Sequence, residues 1–192
     1  MIALASASLR RRDLLREAGV TFRVVPQEAD ETPPARATPV EAAIAIARRK
    51  ALRAARDLDL PVLAADTIVV AADGELLGKP ADDSDAQRML GKLSGTTHLV
   101  VTGVCLAQRR GRDVRAASDT TRVTMRTLTP EEISEYVASG ESRGKAGAYA
   151  IQETADRFVT GVEGSRTNVV GLPMELVMRM LDEAGLGTGS SR

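Results

Sequence analysis

Residues 1–25 read MIALASASLRRRDLLREAGVTFRVV, and the order of residue types in them sets the fold class. Ile2 to Ala5 is a short apolar run that suits a buried strand. Leu9 to Ala18 follows with Leu14, Leu15 and Ala18 on one helical face, and Gly19 stands where a left-handed cap ends a helix. Phe22 to Val25 is apolar again and predicts a second strand. Strand, helix and strand in this order begin an α/β protein.

The rest of the chain extends the alternation. Gln27 to Thr38 is polar, contains Pro33 and Pro34, and reads as a loop. Thr38, Pro39 and Glu41 form a capping signature for a helix to about Arg56. Thr129, Pro130 and Glu132 repeat it before Ile133 to Ala138, with Gly140 as terminator, and Ser84 with Gln87 is a weaker version before Met89 to Leu93. Pro61 to Ala72 is a strand candidate that Asp73-Gly74 turns back through Leu76 and Leu77. Leu99 to Ala107 is a second apolar run. Thr121 to Leu128 alternates, with Val123 and Met125 facing away from Arg122, Thr124 and Arg126, and Arg109 to Arg112 joins the two in a hairpin. Pro173 to Ala184 is the last helix.

These segments predict an α/β fold: a mixed β-sheet flanked by helices, in one domain over residues 1–186, with a flexible tail over 187–192. Two lobes around a cleft are expected, with Gly95 to Glu132 supplying much of the second.

Composition narrows the chemistry. The 192 residues carry 26 Lys plus Arg and 26 Asp plus Glu, so the formal net charge is zero, which argues against a whole-surface grip on nucleic acid or an anionic membrane. One Cys and one His exclude a disulfide framework and a Cys/His zinc site within one chain. Two Tyr, two Phe and no Trp leave no platform for stacking bases. No apolar run approaches a membrane span and no export signal is apparent, so the expected compartment is the cytoplasm.

Five groups of residues can carry chemistry. Ser6, Ser8, Arg10 and Arg11 lie between a strand and a helix, where free N–H groups and arginine forks suit a phosphate; a solvated basic first turn is the alternative. Asp66-Thr67 lies in the apolar run Val62 to Val70, where an acid needs a partner, a metal or a proton to move; a structural ion pair is equally compatible. Glu28, Asp30 and Glu31 offer oxygen ligands for Mg²⁺ or Mn²⁺, although solvated loop carboxylates are the commoner case. Lys50, Lys79 in Gly78-Lys79-Pro80, and Lys145 in Gly144-Lys145-Ala146-Gly147 are surface charges taken singly. With Arg10 and Arg11 they can surround a triphosphate. Gly74 to Lys79 is no P-loop, since its glycines are one residue too close and Pro80 replaces the Ser or Thr. Gln152, after Ala148-Tyr149-Ala150-Ile151, has the donor and acceptor that base recognition needs, or closes a short strand. His98 has no evident relay partner and reads as structural, and Tyr149 as core.

Taken together, the chain resembles the Maf family of septum-formation-inhibitor-like proteins. The resemblance rests on Leu4-Ala5-Ser6-Ala7-Ser8-Leu9-Arg10-Arg11, Ala65-Asp66-Thr67, Gly78-Lys79-Pro80, Met89-Leu90 with Leu93-Ser94-Gly95, and Thr102-Gly103-Val104. It continues in Lys145 to Gln152, Gly164-Ser165 and Val169-Val170-Gly171-Leu172-Pro173. Leu9 stands where the family commonly has Pro, and Glu153 where Gly is usual.

The resemblance implies a nucleoside triphosphate pyrophosphatase that cleaves between the α and β phosphates with a divalent cation, Mg²⁺ or Mn²⁺. It also implies a fold similar to inosine triphosphate pyrophosphatase, and a homodimer. By motif, Asp66 is the catalytic proton acceptor, and Arg10, Thr67 and Gln152 set substrate choice. Ser6, Ser8, Arg10, Arg11, Lys50 and Lys79 are the phosphate-binding set, with Glu31 and Asp66 at the metal. The Asp-Thr pair is similar to the branch acting on dTTP and UTP, in a house-cleaning or pool-controlling role. The competing reading is a nucleotide-binding regulator of cell division that acts through a protein partner without turnover.

Overall fold

The computed structural model describes residues 1–152 and 154–187. The part of the expected tail from residue 188 onward lies outside the described residues, as does Glu153. The chain alternates as expected: β1 (Ile2–Leu4), α1 (Leu9–Glu17), β2 (Phe22–Val24), α2 (Pro39–Ala55), β3 (Val62–Val70) and β4 (Leu76–Leu77). Then come α3 (Asp83–Leu93), β5 (Thr97–Gln108), β6 (Asp113–Met125), α4 (Pro130–Ala138), β7 (Val159–Glu163), α5 (Arg166–Val170) and α6 (Met174–Glu183).

The strands form one mixed sheet in the order β2-β1-β3-β5-β6-β7, with β4 on β3. β1 runs parallel to β2 and to β3, whereas β3–β4 and β6–β7 are antiparallel. β3 is buried along almost its whole length, as a strand covered on both faces must be, and this is why its sequence is a continuous apolar run.

Both proline-headed helices carry the full reciprocal cap. The Thr38 and Thr129 hydroxyls accept from the Glu41 and Glu132 amides, and each glutamate accepts from its threonine amide. In α3 the cap is Asp82, whose carboxylate accepts from the Asp85 amide, and the Ser84–Gln87 signature lies inside the helix. Asp caps as well as Ser, so the earlier acid took the position. β6 begins at Asp113, eight residues before the alternating stretch at Thr121, because its first half is only partly buried and lacks a clear pattern. Arg109–Gly111 is a short 3₁₀ turn between β5 and β6. The segment around Gln152 is not a strand: Ala146–Ala148 is a 3₁₀ turn, and Gln152 is an exposed turn residue. β7 and α5, five residues each, carry no strong local signal in the sequence.

The chain divides into two compact units, each described by itself. The first comprises Met1–Asp66, Thr102–Asp119 and the chain from Gly171. Its core is built largely of small residues, among them Ala3, Ala5, Ala47, Ala51, Ala64, Cys105 and Ala107. Such residues let backbone approach backbone. At Gly103 of β5 a Cβ would stand 2.3 Å from the Ala43 carbonyl carbon of α2. The second unit comprises Thr67–Val101 and Thr120–Val170. It buries Met89, Leu90 and Leu93 of α3, Tyr136 and Val137 of α4, and Phe158, whose ring meets Tyr136 edge-on at 5.4 Å. Of the expected second-lobe segment Gly95–Glu132, residues Thr102–Asp119 group with the first unit, where Gly103 and Gly111 pack on α2. Among the described residues no helix is long and apolar enough to cross a membrane.

Candidate functional site

The first unit gathers most of the expected site residues. Ser8 caps α1, its hydroxyl accepting from the Arg11 amide at 3.4 Å. Ser6, 9 % exposed, accepts at Oγ from the Ser8 amide at 3.2 Å and from Arg11 Nη1 at 3.3 Å. Arg11 also donates from Nε to the Gly171 carbonyl at 2.8 Å. The strand-to-helix turn is thus a backbone corner braced by one arginine. Burial pushes the Arg11 guanidinium below its ordinary range, against the opposing pull of Asp66; neighbouring Arg10 lowers it further and Glu31 raises it. Arg10 is half-buried in the first turn, which has no acidic residue. Cations and free amides at a helix N-terminus favour an anion, whereas Arg11 already feels the charges of Asp66 and Glu31.

The second gathering is the Lys50 group. The buried residues of α2 include Ala43, Ile46, Ala47, Lys50, Ala51 and Ala54, so Lys50 falls on the apolar stripe. A lysine buried there requires a counter-charge. It has two: Asp66 Oδ1 and Glu31 Oε1 each lie 2.7 Å from its Nζ. Asp66 is 8 % exposed on β3, and Glu31 comes from the loop before α2. That loop is held by Arg49, which donates to the carbonyls of Asp30 at 2.9 Å and Thr32 at 2.7 Å. The exposed Asp30 carboxyl is held below the usual carboxylate range by its hydrogen bonds to Thr32.

The second unit holds the other expected residues. Thr67 is half-buried on β3, and Lys79 and Gln152 are exposed. The Gly147 amide donates to the Gly78 carbonyl at 3.0 Å, which ties the Gly-Lys-Pro loop to the turn bearing the buried Lys145. His98 Nε2 lies 2.8 Å from the Tyr149 hydroxyl, and both are buried, which agrees with their structural and core assignments.

Three contributors escaped the sequence reading. Arg49 neighbours Lys50 on α2, yet nothing local said it would grip the 30–32 loop. Gly171 acts through its carbonyl, and Gly147 through its small size, and composition reports neither.

Asp66 and Glu31 are hard oxygen donors of the kind Mg²⁺ or Mn²⁺ takes, and in this structure both converge on the Lys50 ammonium. Among the described residues no group of three or more His, Cys, Asp and Glu is placed to hold a metal ion. One or two protein carboxylates suffice only for an ion that takes its remaining oxygens from a bound phosphate or from water.

Known proteins are similar throughout. A dTTP/UTP pyrophosphatase of Pelotomaculum thermopropionicum is 48 % identical over 185 residues, covering 96 % of each chain. That of Koribacter versatilis is 49 % identical, covering 96 % of this chain and 95 % of its own. In fold the chain is similar to the Staphylococcus aureus Ham1 protein, with a TM-score of 0.55 at 16 % identity, covering 95 % of this chain and 98 % of that one. A HAM1 protein from Coxiella burnetii gives 0.52 at 20 % identity with the same coverage. These two share the mixed α/β architecture described above. The family model for Maf-like proteins matches residues 1–184, and with relatives this close over nearly its whole length, the chain belongs to the Maf-like family.

Proposed function

We propose that the protein is a nucleoside triphosphate pyrophosphatase that hydrolyses dTTP and UTP to the monophosphate and pyrophosphate, with Asp66 as general base. The observation that carries it is the buried Asp66–Lys50 pair, in a chain 48 % identical to a relative named for this activity. Asp66 takes a proton from water, the water oxygen attacks the α-phosphorus, and the bond to the α–β bridging oxygen breaks, with the electron pair leaving on pyrophosphate. Lys50 orients the Asp66 carboxylate. Arg10, Arg11, Ser6, Ser8, Lys50 and Lys79 bind the phosphates, and their cations compensate the charge that develops on the leaving group. Asp66 and Glu31 would hold the divalent cation, which when bound supplies further neutralisation of the triphosphate.

Thymine and uracil present a carbonyl–NH–carbonyl edge. Gln152 has both donor and acceptor to meet it, and Thr67 adds a hydroxyl, whereas the cytosine amino group would leave polar groups unmatched. Resemblance to the family adds a homodimer, and the compartment expected for it is the cytoplasm.

The test is pyrophosphate release from dTTP, UTP, CTP, ATP, GTP and 7-methyl-GTP with Mg²⁺ or Mn²⁺, for the wild type and Asp66→Asn. Turnover of dTTP and UTP, reduced at least about 100-fold in a folded Asp66→Asn, is expected. Full activity of that variant removes Asp66 from the role. Binding of nucleotides without turnover of any favours the regulator of cell division.

A further inference from the structure

The segment from Gly144 to Gln152 is pinned at several points. Gly144 and Gly147 are both left-handed at φ 68°, and Ala148 is left-handed at φ 62°, a conformation that costs a residue with a side chain. The Gly147 amide is bonded to the Gly78 carbonyl at 3.0 Å. Beyond the turn, the Tyr149 hydroxyl meets His98 Nε2 at 2.8 Å, and the Ala150 amide donates to the Tyr136 hydroxyl at 3.3 Å. Gln152 follows directly.

The turn also presses on β3. A Cβ at Gly147 would lie 3.0 Å from Val69 Cγ2 and 3.1 Å from both Cβ and Cγ1. Val69 cannot yield easily: it is 2 % exposed, branched at Cβ and paired with Leu77, the residue before Gly78. Strand alternation puts Thr67 on the same face as Val69. The segment that ends in Gln152 is therefore seated against the face of β3 that carries Thr67.

We infer that Gly147 is a positioning residue for base selection, given the reading of Thr67 and Gln152 as base-selecting residues. Its missing Cβ lets the 144–152 segment sit down on Val69, and this seating fixes Gln152 with respect to Thr67. A methyl group at 147 lifts the segment and spreads the two polar groups, while the phosphate-binding turn of α1 is untouched.

The experiment measures kcat and KM for dTTP, UTP and CTP in the wild type, Gly147→Ala, Gly144→Ala and Gly147→Ala/Val69→Ala, with melting curves to establish folding. Gly147→Ala is expected to lower the dTTP-to-CTP ratio of kcat/KM about fivefold or more, through KM for dTTP, with kcat changed less than about twofold. Gly144→Ala introduces the same left-handed alanine with nothing within 4 Å of its Cβ, so it keeps the ratio. The double variant regains part of the ratio, because shortening Val69 removes both Cγ contacts and leaves only its Cβ at 3.1 Å. An unchanged ratio in folded Gly147→Ala, an equal loss in Gly144→Ala, or no recovery in the double variant overturns the role of Gly147. Should Gly147→Ala not fold, Val69→Ile enlarges the same contact from the strand side and is judged by the same ratio. A wild type that does not distinguish dTTP from CTP overturns the assignment of Thr67 and Gln152, and Gly147 with it.

Discussion

The Lys50 ammonium lies 2.7 Å from Asp66 Oδ1, and both residues are more than nine-tenths buried. Glu31 touches the same ammonium at the same distance but is 44 % exposed at its side chain. The two contacts therefore differ in energy although they match in length. Lys50→Gln strands a buried carboxylate and is expected to cost about 3 kcal/mol or more of stability. Glu31→Gln removes a half-solvated charge and is expected to cost less than about 1 kcal/mol. Urea unfolding of both variants checks the asymmetry, and both should lose pyrophosphatase activity.

Two glycines predict opposite effects of the same substitution. At Gly103 a Cβ would collide with the Ala43 carbonyl oxygen at 2.4 Å and the Ile44 nitrogen at 2.5 Å, both backbone atoms that cannot turn aside. Gly103→Ala must push α2 away from β5, and should destabilise by several kcal/mol, of the size seen for severe overpacking. Gly91 lies inside α3 with nothing within 4 Å of its Cβ, so Gly91→Ala should stabilise by about 0.5–1 kcal/mol. Melting temperatures of the two variants decide the matter.

Cys105 is buried in the small-residue core of the first unit, and burial pushes its thiol up to about 11. The thiolate needed for attack is scarce and unreachable in the native state. Labelling by a thiol reagent at pH 8 is expected to be negligible until denaturant is added. Rapid labelling of the native protein would show that the core around Cys105 opens.

His98 gives the fold a pH dependence. Burial lowers its imidazole to about 4, from 6.5 in an unfolded chain. Between these values the unfolded state binds the extra proton, so stability rises with pH. The contribution is present in full above about pH 6.5 and is lost as pH falls toward 4, by an amount on the order of 3 kcal/mol. Unfolding free energies at pH 7, 6, 5 and 4 should fall in the wild type and fall less in His98→Gln. Parallel curves would remove His98 as the source.

Much of the fold is legible in the sequence wherever a signal is complete within a few residues. Thr38 with Glu41 and Thr129 with Glu132 announce their helices because both halves of the cap lie three residues apart. β3 is legible because a strand covered on both faces must be apolar throughout. The acid within it, Asp66, is legible for the same reason. α5 spans Arg166–Val170 and β7 Val159–Glu163, too short to show a period, so neighbours rather than propensity define them.

What the sequence by itself determined is the alternation of strands and helices, the two threonine caps, and the candidates Ser6, Ser8, Arg10, Arg11, Asp66 and Thr67, each marked by its immediate surroundings. Tertiary structure alone decided the partners. Lys50 meets Asp66 across 16 positions, Arg11 reaches the Gly171 carbonyl across 160, and Gly147 meets Val69 through a side chain it does not have. Capping and periodicity are properties of adjacent backbone, which the local order of residues encodes. A buried ion pair or a steric limit is a property of space shared by distant segments, and it exists only once the core has packed.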